Sequence, residues 1–304
     1  MEILVTGGAG FIGSHIADAY IKSGHDVIIL DNLSSGKKQN INPKAKFYEI
    51  DLLDRQLENV FKEENIQLIN HHAAQSSVER SVTNPAKDAS SNIIATLQLL
   101  QLAVTYRIEN FIFASTGGAI YGDQAQVPAS EESPCNPSSP YAISKLSIEH
   151  YLRFYEKVYD LNCITLRYSN VFGPRQDPYG ESGVIAIFCN RLIQNMAPMV
   201  YGDGKQTRDF ISVFDVVSAN LLALNSKNIS GIFNIGTGIE TSVLSLTESL
   251  IRLSGKKVKV NFGPTRKGEP RRSAIKYEKF KKQFGWEPNI NYDSVLLETY
   301  KSFC

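Results

Sequence analysis

The first fifteen residues constrain this chain more than any other segment. An apolar, β-type run, Glu2–Thr6, enters Gly7-Gly8-Ala9-Gly10-Phe11-Ile12-Gly13, and a segment of helical period follows over Phe11–Ser23. Glycines at a strand-to-helix junction predict a βαβ unit whose turn cradles a pyrophosphate. Gly7 permits the tight turn, Gly10 lets the backbone approach phosphate, and Gly13 lets the helix pack on the strand. Unpaired N–H groups and the helix dipole at that end add positive potential. A second predicted strand, Asp26–Leu30, runs into Asp31-Asn32. A carboxylate there accepts hydrogen bonds from the adenosine ribose hydroxyls and repels a 2′-phosphate, so NAD is expected rather than NADP.

The alternation continues through the first half of the chain. Further strands are expected at Lys46–Ile50, Gln67–His71, Asn110–Ala114 and Cys163–Tyr168, with long helices at Pro85–Tyr106 and Pro140–Tyr159. Short β-branched runs alternating with helical segments specify an α/β fold, a Rossmann-type doubly wound parallel sheet. Beyond Tyr168 glycine- and proline-rich stretches interrupt shorter elements, which reads as a smaller C-terminal α/β substrate-binding lobe. The expected division is 1–168 for the dinucleotide domain and 169–304 for the lobe. A segment at about 205–236, ending in Ile232-Phe233-Asn234-Ile235, is expected to return to the first sheet.

A chain of 304 residues with a net charge of +1 has no global charge to recruit nucleic acid or an anionic membrane, so a small ligand is expected. Cys135, Cys163, Cys189 and Cys304 are far apart, without a CxxC pair, and read as free thiols of a reducing compartment. The first residues carry neither a basic leader nor a spanning apolar run, so a cytoplasmic location is expected. No metal site is expected. His71 and His72 tempt a metal reading, but neighbours on an extended strand point to opposite faces and make poor joint ligands.

Two segments fit the cofactor pocket: Asp51-Leu52 near the adenine, and Ala73-Ala74-Gln75 near the pyrophosphate and nicotinamide ribose. The chemistry is expected in Pro140-Tyr141-Ala142-Ile143-Ser144-Lys145. Four residues apart at a helix start, Tyr141 and Lys145 share a face. A phenol with a pKa near 10 is a poor base at neutral pH, and an adjacent ammonium with a nicotinamide cation favours its ionised form. The strand Phe111-Ile112-Phe113-Ala114-Ser115-Thr116 delivers hydroxyls at its carboxyl end, where ligands bind in such sheets.

Taken together, TGGAGFIGSH, DNLSSG, STGGAIYG, SPYAISK, LRYSNVFGPRQDPYG, YGDGKQTRDFISVFD, FNIGTG and RKGEPRRS make the chain resemble, over essentially its whole length, the extended short-chain dehydrogenase/reductase family. It is most similar to the nucleotide-sugar 4-epimerases of the UDP-glucose/UDP-galactose type. The resemblance implies that Tyr141 removes the sugar 4-hydroxyl proton while C4 passes hydride to a tightly held NAD, and that the 4-keto sugar turns and takes hydride back on its other face. Lys145 would bind the nicotinamide ribose. The implied cofactor set also contains Ser35, Gly36, Asn92 and Tyr168. For the UDP-sugar the resemblance implies Asn170 and the arginines Arg208 and Arg266 at the diphosphate, Tyr201 at the uracil, and Gly117, Gly118 and Glu269 in the substrate set. Ser273 stands where the family limits space around the sugar's 2-substituent, and its small side chain suggests that N-acetylated hexoses are accepted. One departure is Gly117, where the family usually carries serine or threonine. Either Thr116 or a water supplies that hydroxyl, and Thr116 is preferred because two glycines would let the backbone turn it inward.

Three rivals are weighed. A 4,6-dehydratase needs an acidic pair where Gly117-Gly118 stands. A UDP-glucuronate epimerase or decarboxylase needs a cation for the C6 carboxylate that is not clearly reserved. A non-catalytic NAD sensor has no use for both Tyr141 and Lys145. The two long helices are expected to pair across a two-fold axis in a homodimer.

Overall fold

The computed structural model describes residues 1–304 except 124–125, 180–182, 225, 227–228 and 266–269. Its main sheet has seven strands: β1 Glu2–Thr6, β2 Asp26–Asp31, β3 Lys46–Glu49, β4 Leu68–His71, β5 Asn110–Thr116, β6 Asn162–Tyr168 and a returning strand, Gly231–Ile235. Across the sheet the order is returning strand, β6, β5, β4, β1, β2, β3. Thr6 lies opposite Leu30 on one side and His71 on the other, both pairings parallel. The order therefore reverses about β1 and β4, the topological switch point outside whose carboxyl ends such sheets bind ligands. Ile3, Leu4 and Val5 are all fully buried. Both faces of β1 are covered, as a parallel sheet flanked by helices requires.

The described chain divides into two compact units. The first comprises Met1–Thr116, Ser139–Arg167 and Val217–Phe233. Leu4, Ile28, Ile69, Phe111 and Phe113 of its sheet pack against Leu99, Leu100, Ile148 and Leu152 of its helices. Truncating one such core leucine to alanine costs about 2–5 kcal/mol. The second unit comprises Gly117–Ser138, Tyr168–Val216 and Asn234–Cys304. Its core gathers Phe172, Phe188, Leu192, Val200, Leu246, Leu250 and Leu296, and its strands pair only in short twos, such as Asn170–Phe172 with Phe210–Ser212. Gly117–Ser138, which a division at 168 assigns to the first domain, groups with the second unit. Ala129 ties it there: its N–H donates to Ala274 O at 2.9 Å, and its carbonyl accepts from Lys276 N at 2.7 Å.

The helix expected over Pro85–Tyr106 runs without interruption over Pro85–Thr105, with one wider turn inside it. Helices run over Val78–Thr83 and Pro85–Ala89, a π-helical turn covers Ser90–Ile94, and α-helix resumes over Ala95–Thr105. Asn84 separates the long helix from Val78–Thr83 and starts it: the Asn84 side chain caps Lys87 N and Pro85 takes the first helical position. Pro140–Tyr159 is continuous for 20 residues, started by Ser139 capping Ala142 N and Pro140 at the first turn, and stopped at Asp160 in the left-handed region with φ 53°. No helix among the described residues is long and apolar enough to cross a membrane.

Candidate active site

The glycine turn is built by steric exclusion. Gly7 has φ +67°, and a Cβ there would stand 2.6 Å from Ala73 N; a Cβ on Gly13 would stand 2.3 Å from Gly7 O. The first glycine lets the turn pass under the β4 loop, and the third lets the helix close on the turn. Helix Phe11–Lys22 then begins at Gly10 with no side-chain cap and no acidic residue in its first turn. Its leading N–H groups are thus left for an anion. Asp31, at the end of β2, is buried; its Oδ2 accepts from Ala9 N at 3.0 Å and its Oδ1 from Leu33 N at 2.8 Å. Burial pushes its carboxyl above the usual range, and these two hydrogen bonds pull it back. Gly36 lies against this carboxylate, where a Cβ would come within 2.7 Å of Oδ1. Asn32 donates to Asp51 Oδ2 at 2.6 Å, beside the buried Leu52.

After β4 the chain enters a polar network. Gln75 N donates to Asn92 Oδ1 at 2.8 Å, and Asn92 Nδ2 returns a bond to Gln75 O at 3.0 Å. His71 is buried and neutral: burial first, then the positive charge of Lys145, holds its pKa well below the usual range. Its tautomer follows from hydrogen counting. Thr96 Oγ1 donates its one proton to Asn92 O at 2.6 Å, so it accepts from His71 Nε2–H at 2.8 Å. Nδ1 is then the acceptor for Thr6 Oγ1 at 2.6 Å. His72 is pushed down to about 3, by burial first and then by Lys145. The two histidines thus sit in hydrogen-bonded, desolvated surroundings, and no group able to hold a metal ion occurs among the described residues.

Tyr141 and Lys145 lie on the first turns of Pro140–Tyr159. Lys145 is buried, its Nζ donates to Ala114 O of β5 at 2.8 Å, and it stands 4.7 Å from the Phe113 ring centroid and 6.0 Å from that of Tyr141. One turn further on, Glu149 accepts from Ser115 Oγ at 2.6 Å and pairs in bidentate fashion with Arg167 of β6, at 2.9 and 2.5 Å. The strand ends at Thr116, and Gly117–Ile120 forms one helical turn. Neither Gly117 nor Gly118 has positive φ. The idea that these glycines turn the backbone by an unusual conformation is therefore corrected: the turn is ordinary right-handed helix.

In the second unit Asn170 N donates to Asp209 O at 2.9 Å, and a Cβ on Gly118 would stand 3.4 Å from Asn170 Oδ1. That Oδ1 is buried and has no hydrogen-bond partner among the described residues. Arg208 is half-buried and donates to Thr207 O and Pro270 O at 2.7 and 2.9 Å. Tyr201 ends the strand Met199–Tyr201, whose partner is Asn261–Gly263. Ser273 is half-buried beside the buried Ala274 and Ile275. Arg266 and Glu269 lie outside the described residues. Asp209 is buried and accepts from Thr237 N, Thr237 Oγ1 and Gly238 N at 3.0, 2.6 and 3.1 Å, fixing the Gly236-Thr237-Gly238 loop.

Comparison with known proteins decides what this scaffold is. The model of the NAD dependent epimerase/dehydratase family matches residues 3–236. The chain belongs to that family. A UDP-glucose 4-epimerase of Mycolicibacterium smegmatis is 39% identical over 100% of this chain and 98% of its own length. Among solved structures, a Thermotoga maritima UDP-glucose 4-epimerase with UDP-glucose is 46% identical, with TM-score 0.97 over 100% of this chain and 98% of that one. A Thermus thermophilus UDP-glucose 4-epimerase in complex with NAD is 40% identical, with TM-score 0.94 over 100% and 99%. This epimerase/dehydratase family member is accordingly an NAD-dependent enzyme, and its uncapped helix, glycine cradle and Asp31 fit that cofactor.

Four buried polar groups near Tyr141 and Lys145 were not singled out from the sequence. Asp88, Ser144, Glu149 and Arg167 are all nearly inaccessible to solvent. Two signals could have found them. Glu149 lies four residues beyond Lys145, on its helix face, and Arg167 is a lone charge inside the apolar run Cys163-Ile164-Thr165-Leu166-Arg167, which only a buried counter-charge accommodates.

Proposed function

We propose that the enzyme interconverts UDP-galactose and UDP-glucose by reversible oxidation at C4 of the sugar. The observation that carries this reading is the Tyr141/Lys145 pair, one helical turn apart beside the carboxyl end of β5, in a chain similar from end to end to UDP-glucose 4-epimerases. Gly7, Gly10, Phe11, Ile12 and Gly13 would hold the pyrophosphate of NAD, with Asp31, Asn32, Ser35, Gly36, Asp51 and Leu52 at its adenosine half and Ala73, Ala74, Gln75, Asn92 and Tyr168 toward the nicotinamide. Bound NAD supplies the acceptor, and then the donor, of the C4 hydride. Tyr141 as phenolate takes the proton of the 4-hydroxyl and returns it to the opposite epimer, so its protonation cycle closes each turnover. The Lys145 ammonium favours that phenolate and binds the nicotinamide ribose. Thr116 donates to the sugar oxygen beside Tyr141. Arg208 and Asn170 would hold the UDP diphosphate, with Arg266 as a second cation and Tyr201 at the uracil.

Elimination to a 4,6-dehydratase product is disfavoured, because Gly117-Gly118 offers no acid for it. Assembly is read as a homodimer through the outer face of Pro140–Tyr159, where Ile143, Tyr151, Phe154 and Val158 are exposed along one stripe, with Ile94 exposed on the other long helical segment. Two buried free thiols, Cys163 and Cys189, accord with a cytoplasmic location. The test of the activity is direct: purified protein is incubated with UDP-galactose and assayed for UDP-glucose. Conversion by the wild type and its loss in Tyr141→Phe are expected; equal behaviour of the two overturns the assignment. For assembly, Phe154→Lys should shift the mass measured by light scattering from dimer to monomer.

A further inference from the structure

We infer that Asp88 is a positioning residue that couples the cofactor loop to the catalytic helix. It rests on the reading that Tyr141 and Lys145 act on the bound sugar and cofactor. Asp88 is 1% exposed, and three neutral donors from three separate segments converge on it. Oδ1 accepts from Gln75 Nε2 at 2.9 Å, in the loop after β4, and from Asn92 Nδ2 at 3.0 Å, in the π-helical turn. Oδ2 accepts from Ser144 Oγ at 2.7 Å, the residue immediately before Lys145 and three after Tyr141.

A buried carboxylate satisfied only by neutral donors is a costly way to fill a core, and an apolar side chain would do so more cheaply. What the carboxylate adds is a rigid pair of acceptors on one plane: one oxygen holds the amides of Gln75 in the cofactor loop and Asn92 in the π-helical turn, the other holds the helix that carries Tyr141 and Lys145. The distance between those two groups is then set by the carboxylate itself. The π-helical turn Ser90–Ile94 carries Asn92, four residues beyond Asp88 and on the same helix face, which bonds to both Asp88 and Gln75. Gln75 closes the loop on itself, its Oε1 accepting from Ser77 N at 2.8 Å, so a displacement of Asp88 is transmitted to the loop as a unit.

The experiment compares Gln75→Ala, Ser144→Ala, Asp88→Ala, Asp88→Asn and the Asp88→Ala doubles. NAD affinity of the cofactor-stripped protein is measured by calorimetry, and kcat and KM with UDP-galactose. Asp88→Ala should weaken NAD and lower kcat on the order of 10- to 100-fold, the effect of mispositioning by about an ångström. Ser144→Ala should lower kcat with KM unchanged. Asp88→Asn should recover most of both, its Nδ2 donating to a Ser144 hydroxyl that now accepts. In the Asp88→Ala background Ser144→Ala should add nothing to the loss of kcat, and Gln75→Ala should add less to the loss of NAD affinity than it costs in the wild type. Additive losses, or a fall in unfolding midpoint with NAD affinity and kcat intact, overturn the inference. Should the wild type fail to convert UDP-galactose, the functional assignment falls while the NAD cycle still decides the role of Asp88.

Discussion

One ion pair of the first unit and two of the second share a bidentate geometry and differ in their access to water. In the first, the Glu149–Arg167 pair is sealed from water, with side-chain exposures of 2% and 3%, and Ser115 supplies a further bond to Glu149. In the second, Arg271–Asp203 and Arg272–Glu240 are also bidentate, at 2.8 and 2.8 Å and at 2.9 and 2.5 Å, but both arginines are exposed. Similar geometry has different consequences. Water screens and replaces the exposed pairs, whereas nothing replaces a partner lost from the sealed one. The first unit thus seals one ion pair against the helix that bears Tyr141 and Lys145, whereas these two arginine pairs of the second unit lie at the surface.

Tyr141→Phe touches the chemistry that the sealed pair supports, and should lower kcat on the order of 10²- to 10⁴-fold with an unchanged unfolding curve; an equal loss of stability would mean that the phenol is structural. Glu149→Ala strands Arg167 in the core and should cost about 3–5 kcal/mol in urea denaturation. A cost no larger than that of a surface mutation would show that water reaches the pair. Asp209→Ala tests whether a buried carboxylate in the second unit behaves like those of the first; four donors lose their acceptor, and about 1–3 kcal/mol is expected.

A smaller effect follows from pH. His71 and His72 are held neutral below their ordinary pKa, so between pH 6.5 and 5 the unfolded chain binds protons that the folded chain does not. Stability should therefore fall as pH drops through that window, by up to about 1.4 kcal/mol per unit for each histidine, and be level above it. A flat urea midpoint from pH 7 to 5 would contradict the neutral assignment. Smallest of all, Arg271→Ala should leave both the unfolding midpoint and turnover unchanged within error, which is the control for the exposed side of the comparison.

The parallel sheet was legible in the chain because each strand is a local pattern. β-branched runs between helical segments placed β1 to β6 within a residue or two, and the Ile232–Ile235 run marked the returning strand. Gly7, Gly13 and Asp31 were legible for a related reason, since backbone conformation and close approach are written in single residues. The helix over Pro85–Tyr106 was legible as well, whereas its wider turn at Ser90–Ile94 was not, because helical periodicity does not register one extra residue in a turn.

What local pattern determined, then, was the sheet, the glycine turn, the acidic end of β2 and the Tyr141/Lys145 spacing, all short-range properties of a few consecutive residues. Only the tertiary structure decided which polar groups lose their water: that Asp88 faces Gln75, Asn92 and Ser144 at once, that Glu149 meets Arg167 across 18 positions, and that His71 is a neutral link between Thr6 and Thr96. Desolvation depends on every element packed around a side chain, and residues far apart in sequence supply most of them.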